Sequence, residues 1–293
     1  MMNAPDFLPH LLGSFAQPAA ENPTVAIMEA AFRHHAMHYR YINCEIAPEN
    51  LQAAIEGAKA MGWRGFNCSI PHKIKVIRHL DDLGESARII GAVNTVVIEP
   101  DGRMRGENTD GKGFVKAIAD LPSIGGVEGI RDKKVVLFGA GGAARAIGVE
   151  MALAGASSII VVNRNAEKGQ SLVDLLNVQT STDAHYEAWD LPYVLPSDTN
   201  IVINATSVGL YPHTDQRLNI DADSLLPHMI VADCIPNPAY TLFLKEAQAH
   251  GCKHVVPGMQ MLVNQAVIAL RYWTGVDVED GVMLEELKRV LGL

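Results

Sequence analysis

The chain has 293 residues, of which 48% are hydrophobic and 19% are charged, and it carries a formal net charge of −9. This composition is typical of a folded globular protein, and the length accommodates two cores of ordinary domain size. The acidic balance argues against nucleic acid as a partner, and no apolar stretch approaches the roughly 18 residues of a membrane span, so we expect a cytoplasmic protein, alone or as a homodimer, that binds a small molecule.

In the first part of the chain, strand-length apolar segments alternate with helical periods, as in parallel α/β folds. The pattern predicts helices over residues 23–38 and 48–61 and strands over residues 39–46 and 65–70. The last of these strands delivers Lys73 to a loop at its carboxyl end. Such loops are where α/β folds bind their ligands.

A segment rich in glycine and polar residues, 121–133, is the best candidate for a domain boundary. Beyond it the alternation resumes and leads to two further helices near the end of the chain. We predict strands over 134–139, 158–162, 200–204 and 229–233, and helices over 141–155, 259–273 and 285–290.

No metal site is predicted. The four cysteines are scattered without a Cys-x-x-Cys pair, which favours free thiols in a reducing compartment. His34 and His38 lie at metal-ligand spacing on one face of the first predicted helix. No third ligand is evident, so we interpret these histidines, with His35, as a surface cluster.

A glycine-rich turn follows the strand that begins at Lys134. Gly139, Ala140, Gly141, Gly142 and Ala143 lead into Ala144, which gives the G-x-G-x-x-A form of the dinucleotide fingerprint between a strand and a helix. The first glycine makes the turn, and Gly141 lets backbone amides approach a pyrophosphate. The N-terminus of the following helix adds partial positive charge, so this half of the chain is predicted to bind a dinucleotide.

The end of the next strand indicates which dinucleotide. NAD enzymes usually place a carboxylate there on the ribose hydroxyls, whereas this chain has Asn163, Arg164 and Asn165. No carboxylate repels a 2′-phosphate, and Arg164 with Lys168 supplies charge to bind one. We therefore predict NADP as the cofactor, the alternative for Arg164 being a solvated surface side chain.

Three polar residues form a candidate catalytic set. Lys73 follows Asn-Cys-Ser-Ile-Pro-His, Asn94 stands in Gly-Ala-Val-Asn-Thr, and Asp110 stands in Glu-Asn-Thr-Asp-Gly. When a hydride reaches a carbonyl carbon, the oxygen gains negative charge and needs a proton donor, which a lysine supplies. Each residue alone fits a surface position or a helix cap, so the hypothesis rests on their joint occurrence.

These motifs resemble the shikimate dehydrogenase family over nearly the whole chain, at residues 67–73, 91–95, 108–111, 139–144, 163–164, 204–209 and 258–265. The resemblance implies an α/β substrate-binding and catalytic domain at 1–111 and 259–293. It also implies a Rossmann-type doubly wound NADP domain at 112–258, with the active site in the cleft between the two. The implied reaction is the reversible reduction of a cyclic 3-dehydro acid of the shikimate or quinate type by NADPH.

Carried over residue by residue, the resemblance makes Lys73 and Asp110 the catalytic pair. It assigns substrate contacts to Asn22, Ser69, Asn94 and Gln265, with Ser69 in place of the family's usual threonine. It assigns the cofactor to the glycine turn (Gly139, Ala140, Gly141, Gly142, Ala143) and to Asn163, Arg164, Lys168, Thr206, Ser207, Gly258 and Met259.

Two departures from the family pattern concern the substrate. The family's His-Ser-x-Ser-Pro segment, whose hydroxyls bind the substrate carboxylate, corresponds here to Ala19-Ala20-Glu21-Asn22-Pro23 with one extra residue after Gly13. Asn22 either donates to the substrate or caps the first helix. At the second departure, Pro236 stands where the family usually has a tyrosine whose hydroxyl reaches the substrate.

Because both departures leave the hydride and proton chemistry intact, the reaction type is better defined than the substrate. A family dehydrogenase acting on a different polyol or hydroxy acid is one alternative. A non-catalytic sensor that binds NADPH or another ligand is a second, although a binder has no need of both Lys73 and Asp110. A third is another lysine-dependent Rossmann dehydrogenase.

Overall fold

The structure is a computed structural model that describes residues 7–293, and they divide into two compact units. The first contains the described chain up to Thr109 together with Ala266–Gly292, and the second contains Asp110–Gln265. The glycine-rich segment 121–133 lies inside the second unit. Within the described chain, no helix has the length and apolar character needed to cross a membrane.

The first unit is built on a six-stranded mixed sheet in the order β2-β1-β3-β5-β6-β4. Its strands are β1 (His10–Ala16), β2 (Tyr39–Glu45), β3 (Gly65–Cys68), β4 (Asp82–Leu83), β5 (Thr95–Ile98) and β6 (Met104–Glu107). Its helices include α1 (Thr24–His34), α2 (Leu51–Ala60), α3 (His72–Lys75) and α4 (Glu85–Ile90). Strand β1 runs parallel to β2 and β3, whereas β5 runs antiparallel to β3 and β6.

An aromatic cluster fills the core of this unit. Phe15 and Phe66 stack with ring centroids 4.4 Å apart, and Trp63 lies 5.9 Å from Phe15. The buried faces of α2 and of β5 complete the cluster. Burial of several aromatic side chains gives this sheet a rigid support for the loops at its strand ends.

Helix α1 ends earlier than predicted. The N–H of Met37 donates to the carbonyl of Phe32 and that of Ala36 to Arg33, while Ala36 adopts φ 50°. These bonds form a Schellman motif, which stops a helix through one left-handed residue. The prediction that His34 and His38 share one helical face was therefore wrong.

The second unit is a doubly wound sheet of six parallel strands in the order β12-β11-β10-β7-β8-β9. The strands are β7 (Lys134–Phe138), β8 (Ser158–Asn163), β9 (Asp183–Ala188), β10 (Ile201–Asn204), β11 (Ile230–Asp233) and β12 (His254–Val256). The helices are α5 (Thr109–Ala119), α6 (Gly142–Leu153), α7 (Ala166–Gln179), α8 (Leu242–Ala249) and α9 (Gly258–Thr274). The predicted α/β class and Rossmann-type sheet are confirmed.

Helices α5 and α9 contain the two points at which the chain passes between units, and α10 (Asp280–Leu291) follows within the first unit, where it packs against α1. In the second sheet the strand order reverses between β7 and β10. Ligands of open α/β sheets bind at the carboxyl ends of the strands at such a reversal. The glycine turn follows β7 and therefore stands at this position.

Candidate active site

Lys73 lies in the first turn of α3, just beyond the carboxyl end of β3. Its neighbour His72 is fully buried, with Nε2 2.8 Å from the carbonyl oxygen of Ile46, and the Lys73 carbonyl accepts the N–H of Val93. Burial raises the pKa of the Cys68 thiol to about 12, and the positive charge of Lys73 partly offsets this rise. These contacts thus anchor the backbone at Lys73, a residue that is itself half-buried.

Asn94 fixes the start of α5. Its Oδ1 accepts the N–H of Thr109 at 2.7 Å, and its Nδ2 lies 3.0 Å from the Thr109 hydroxyl. Asp110 follows Thr109 directly in the chain, so Asn94 acts as a positioning residue for the segment that carries the predicted catalytic carboxylate. Substrate binding by Asn94 stays a prediction.

A chain of buried polar groups supports Asn94 from the sheet. The hydroxyl of Tyr41 donates to Asn67 at 2.7 Å, and Asn67 Nδ2 donates to the Asn94 carbonyl and to Thr95. Burial raises the pKa of the Tyr41 phenol, which keeps it a neutral donor. Satisfied buried networks of this kind are rigid.

Asn22 lies just before α1, next to Pro23, which occupies the N-cap position. Its Oδ1 accepts the N–H of Thr24 at 3.0 Å, and its Nδ2 donates to the hydroxyl of Ser14 at 3.3 Å. The bond to Thr24, the first residue of α1, supports a capping role for Asn22, although Pro23 stands at the N-cap position rather than at the first helical position. Among the bonds that the described residues make, one Nδ2 hydrogen of Asn22 is not used. Ser69 is held nearby through its N–H, which donates to the carbonyl of Phe15.

In the second unit, glycines bring α5 close to two other helices. A Cβ at Gly111 would lie 2.3 Å from the carbonyl oxygen of Ala146 in α6, and one at Gly113 would lie 2.6 Å from the backbone nitrogen of Gln265 in α9. Asp110 and Gln265 thus stand on helices in backbone contact. Their predicted catalytic and substrate roles stay predictions.

The glycine turn contains two kinds of glycine. Gly139 has φ 106°, and its Cβ would lie 2.9 Å from the carbonyl oxygen of Ala205, so the fold itself requires glycine there. Gly141 and Gly142 are exposed, and an added Cβ would have no atom within 4 Å at either. The fold thus leaves open space at Gly141 and Gly142, beside the N-terminus of α6. The binding of a phosphate at this N-terminus stays a prediction.

Two arginines line one cavity of about 310 Å³ in the second unit. Arg164 follows β8 and Arg217 comes from the segment between β10 and β11, and none of the described residues that line the cavity is a carboxylate. The Arg217 guanidinium also forms an ion pair with Glu246, which lies outside the lining. Lys168 lies in the first turn of α7, outside that lining. The sequence did not single out Arg217 as a neighbour of Arg164, because no local motif marks a residue so far along the chain.

A buried amide and carboxylate shape the loop after β10. Asn204 accepts from the N–H and hydroxyl of Thr206 and donates to both carboxylate oxygens of Asp233. Burial raises the pKa of the Asp233 carboxyl to about 6, while hydrogen bonds from Thr241, Ile235 and Asn204 oppose that rise. The predicted cofactor residues Thr206 and Ser207 belong to this loop.

The Asp233 carboxyl is expected to make stability depend on pH. Between its ordinary pKa of 3.8 and about 6, the folded state holds a proton that the unfolded state has released. Raising the pH across this window therefore lowers the free energy of unfolding, by up to about 3 kcal/mol. The free energy of unfolding of the wild type minus that of Asp233→Asn, measured by urea denaturation from pH 4.5 to 7.5, should therefore fall as pH rises. A constant or growing difference would contradict this assignment.

Gly258 and Met259 begin α9 beside the end of β11. A Cβ at Gly258 would lie 2.4 Å from the carbonyl oxygen of Ile235, so only glycine allows this approach, and Met259 is buried. The next residue after Ile235 is Pro236, where the resemblance implies a tyrosine. The close approach of Gly258 to Ile235 thus forms here with proline at position 236.

Comparison with known proteins gives matches along most of the chain. Models of the shikimate dehydrogenase substrate binding domain, of shikimate / quinate 5-dehydrogenase and of the shikimate 5'-dehydrogenase C-terminal domain match residues 15–96, 125–232 and 258–288, respectively. A shikimate dehydrogenase (NADP(+)) of Methanothermobacter thermautotrophicus is 38% identical over 96% of this chain and 97% of its own.

Two solved structures place these matches in three dimensions. The ligand-free 5-ketofructose reductase of Gluconobacter sp. strain CHM43 is 46% identical, with a TM-score of 0.92 over 97% of this chain and 100% of its own. The quinate dehydrogenase of Corynebacterium glutamicum in complex with NAD is 28% identical, with a TM-score of 0.85 over 97% and 99% of the two chains. Agreement in sequence over this length establishes common descent, and the chain belongs to the shikimate dehydrogenase family.

Proposed function

We propose that the protein is an NADP-dependent oxidoreductase that interconverts a polyhydroxylated ketone and its alcohol. Three features support the proposal: the open space at the glycine turn, the cavity lined by Arg164, and the position of Lys73 just beyond a strand end. Relatives named as NADP(+) enzymes support the same cofactor. When bound, the cofactor supplies or accepts the hydride.

The residues of the chain supply the proton. Lys73 donates a proton to the carbonyl oxygen as negative charge develops there, and takes it back in the reverse direction. Asp110 orients the ammonium and accepts a hydrogen bond from a neighbouring substrate hydroxyl. The buried network that ends at Asn94 holds the start of α5 in place, so this carboxylate needs little reorganisation during the reaction.

We further propose that the substrate is a neutral ketose such as 5-ketofructose rather than a carboxylic acid. The observation that carries this step is the segment 19–22, which lacks both hydroxyls of the family's carboxylate-binding serines and contains an exposed glutamate, Glu21. A negative charge beside the site disfavours an anionic ligand. The 46% identity to a 5-ketofructose reductase points to the same class of substrate.

A shikimate- or quinate-type acid is the second candidate. It is favoured by the curated relatives named shikimate dehydrogenase, which are 33% to 38% identical to this chain over most of its length. Asn22 retains one N–H for a carboxylate oxygen. Both candidates require the same proton donor and the same cofactor.

Purified protein should oxidise NADPH when given at least one member of a panel containing 5-ketofructose, 3-dehydroshikimate and 3-dehydroquinate. Loss of absorbance at the nicotinamide band measures the rate. Tight NADPH binding without turnover of any member would instead favour a ligand-binding sensor.

Replacement of Arg164 by glutamine is expected to weaken NADP binding by about 10- to 100-fold, because charge-assisted hydrogen bonds to a phosphate contribute about 1.5–3 kcal/mol. Binding of NAD, which lacks the 2′-phosphate, should change little. Calorimetric titration of both dinucleotides checks this, with the exposed Arg131→Gln as control. Equal weakening of NAD and NADP would count against a phosphate contact.

Location and association are also proposals. The four cysteines are all unpaired thiols, which supports a reducing compartment such as the cytoplasm. A homodimer is a proposal that analytical ultracentrifugation would test.

A further inference from the structure

Strand β2 carries a side chain, Asn43, that binds the loop of residues 19–22, where the resemblance places substrate contacts. Asn43 lies opposite Ser14 in the parallel pairing of β2 with β1, and its Oδ1 accepts the Ser14 hydroxyl at 2.8 Å. Its Nδ2 donates to two carbonyl oxygens of the loop, that of Asn22 at 2.9 Å and that of Ala19 at 3.3 Å. One amide thus spans the loop from end to end.

Further bonds close the loop on itself. The N–H of Ala19 donates to Glu45, two residues along β2 and therefore on the same strand face as Asn43, and the N–H of Asn22 donates to the Ala19 carbonyl. Ser14 is fully buried between Asn43 and Asn22. The polar groups of Ala19 and Asn22 are engaged within the protein, and one Nδ2 hydrogen of Asn22 extends beyond them.

We propose that Asn43 is a specificity-determining positioning residue, which locks loop 19–22 so that it presents the single remaining N–H of Asn22 to a substrate hydroxyl. A single N–H donor pairs with one hydroxyl oxygen, whereas a carboxylate has two charged oxygens that both require donors. This set of bonds between Asn43 and loop 19–22, called the clamp below, therefore selects a neutral polyol at this end of the substrate. The inference rests on the proposed oxidoreductase function and names the residue that fixes its substrate class.

Loss of the clamp should raise KM without changing the chemistry. Asn43→Ala and Asn43→Asp are expected to raise KM for the ketose by about 10- to 100-fold, because a loop displaced by about 1 Å no longer aligns its donor. Asn43→Asp retains size and the acceptor for Ser14 but removes both N–H donors. The kcat and the dissociation constant of NADPH should stay within about threefold of wild type. Arg40→Gln, on the same strand but exposed, is the matched control.

Two further measurements distinguish a positioning role of Asn43 from a general loss of structure in its variants. Amide hydrogen exchange at residues 19–22 should become faster in Asn43→Ala, with exchange of the second unit unchanged. Ser14→Ala and Asn43→Ala should be non-additive in KM, because both remove the same bond.

An unchanged KM, or a parallel loss of kcat, NADPH binding and thermal stability, would overturn the role of Asn43. KM is measured with whichever panel member the wild type reduces. If that member is an acid, the proposed selectivity for neutral polyols is refuted, but the positioning role of Asn43 can still be tested. If the wild type reduced none, the proposed function would fail, while unaltered exchange at 19–22 would independently refute the clamp.

Discussion

Replacement of Lys73 by methionine is expected to lower kcat by about 10²- to 10⁴-fold while the dissociation constant of NADPH changes by less than about threefold. The loss is that of a positioned general acid, which contributes a factor of this size. Methionine retains the length and packing of the side chain. The anchor of α3 lies in the neighbouring His72, so the helix should remain in place.

Lys75 offers a matched control for Lys73. It lies in the same short helix two residues on and is exposed, and Lys75→Met should leave kcat and KM close to wild type. Stopped-flow single-turnover measurements separate the chemical step from product release. Comparable losses in both variants, or a loss for Lys73→Met confined to NADPH binding, would remove Lys73 from proton transfer.

Replacement of Gly141 by valine is expected to weaken NADPH binding by about 100-fold without a loss of thermal stability. An added Cβ would meet no protein atom within 4 Å, so the fold tolerates a side chain there. The same side chain would occupy the space in which a pyrophosphate approaches the backbone amides. A loss of about 2.7 kcal/mol in binding corresponds to the expected factor.

Gly139 provides the opposite case in the same turn. Its positive φ and its approach to the Ala205 carbonyl mean that Gly139→Val should lower the melting temperature of the ligand-free protein. Calorimetry of NADPH binding together with thermal melts distinguishes the two glycines. If Gly141→Val bound NADPH normally, the fingerprint would not mark the cofactor site.

Much of the fold was predictable because local pattern and tertiary structure agree. The apolar segment 134–138 is a central strand, and the glycines after it fit a turn that opens a helix. The early end of α1 was not predictable, since its Schellman motif uses alanine rather than glycine as the left-handed residue. Propensity alone does not identify such a stop.

The candidate site was predictable only where its residues form local motifs. Lys73, Asp110 and Gly139 each stand in a short recognisable segment, whereas Arg217 and Asn43 do not. Asn43 reads as an ordinary strand residue until the pairing of β1 with β2 places it opposite Ser14. Contacts that depend on strand register are not determined by the sequence near either partner.

The proposed substrate class is tested most directly by comparing kcat/KM for two substrates with NADPH under identical conditions. The measured quantity is the ratio of kcat/KM for 5-ketofructose to kcat/KM for 3-dehydroshikimate. A neutral ketose substrate predicts a ratio above about 100, because polar groups of a site built for one substrate are left unpaired by the other. A ratio below one would contradict the proposal and assign the protein to an acid substrate of the shikimate type.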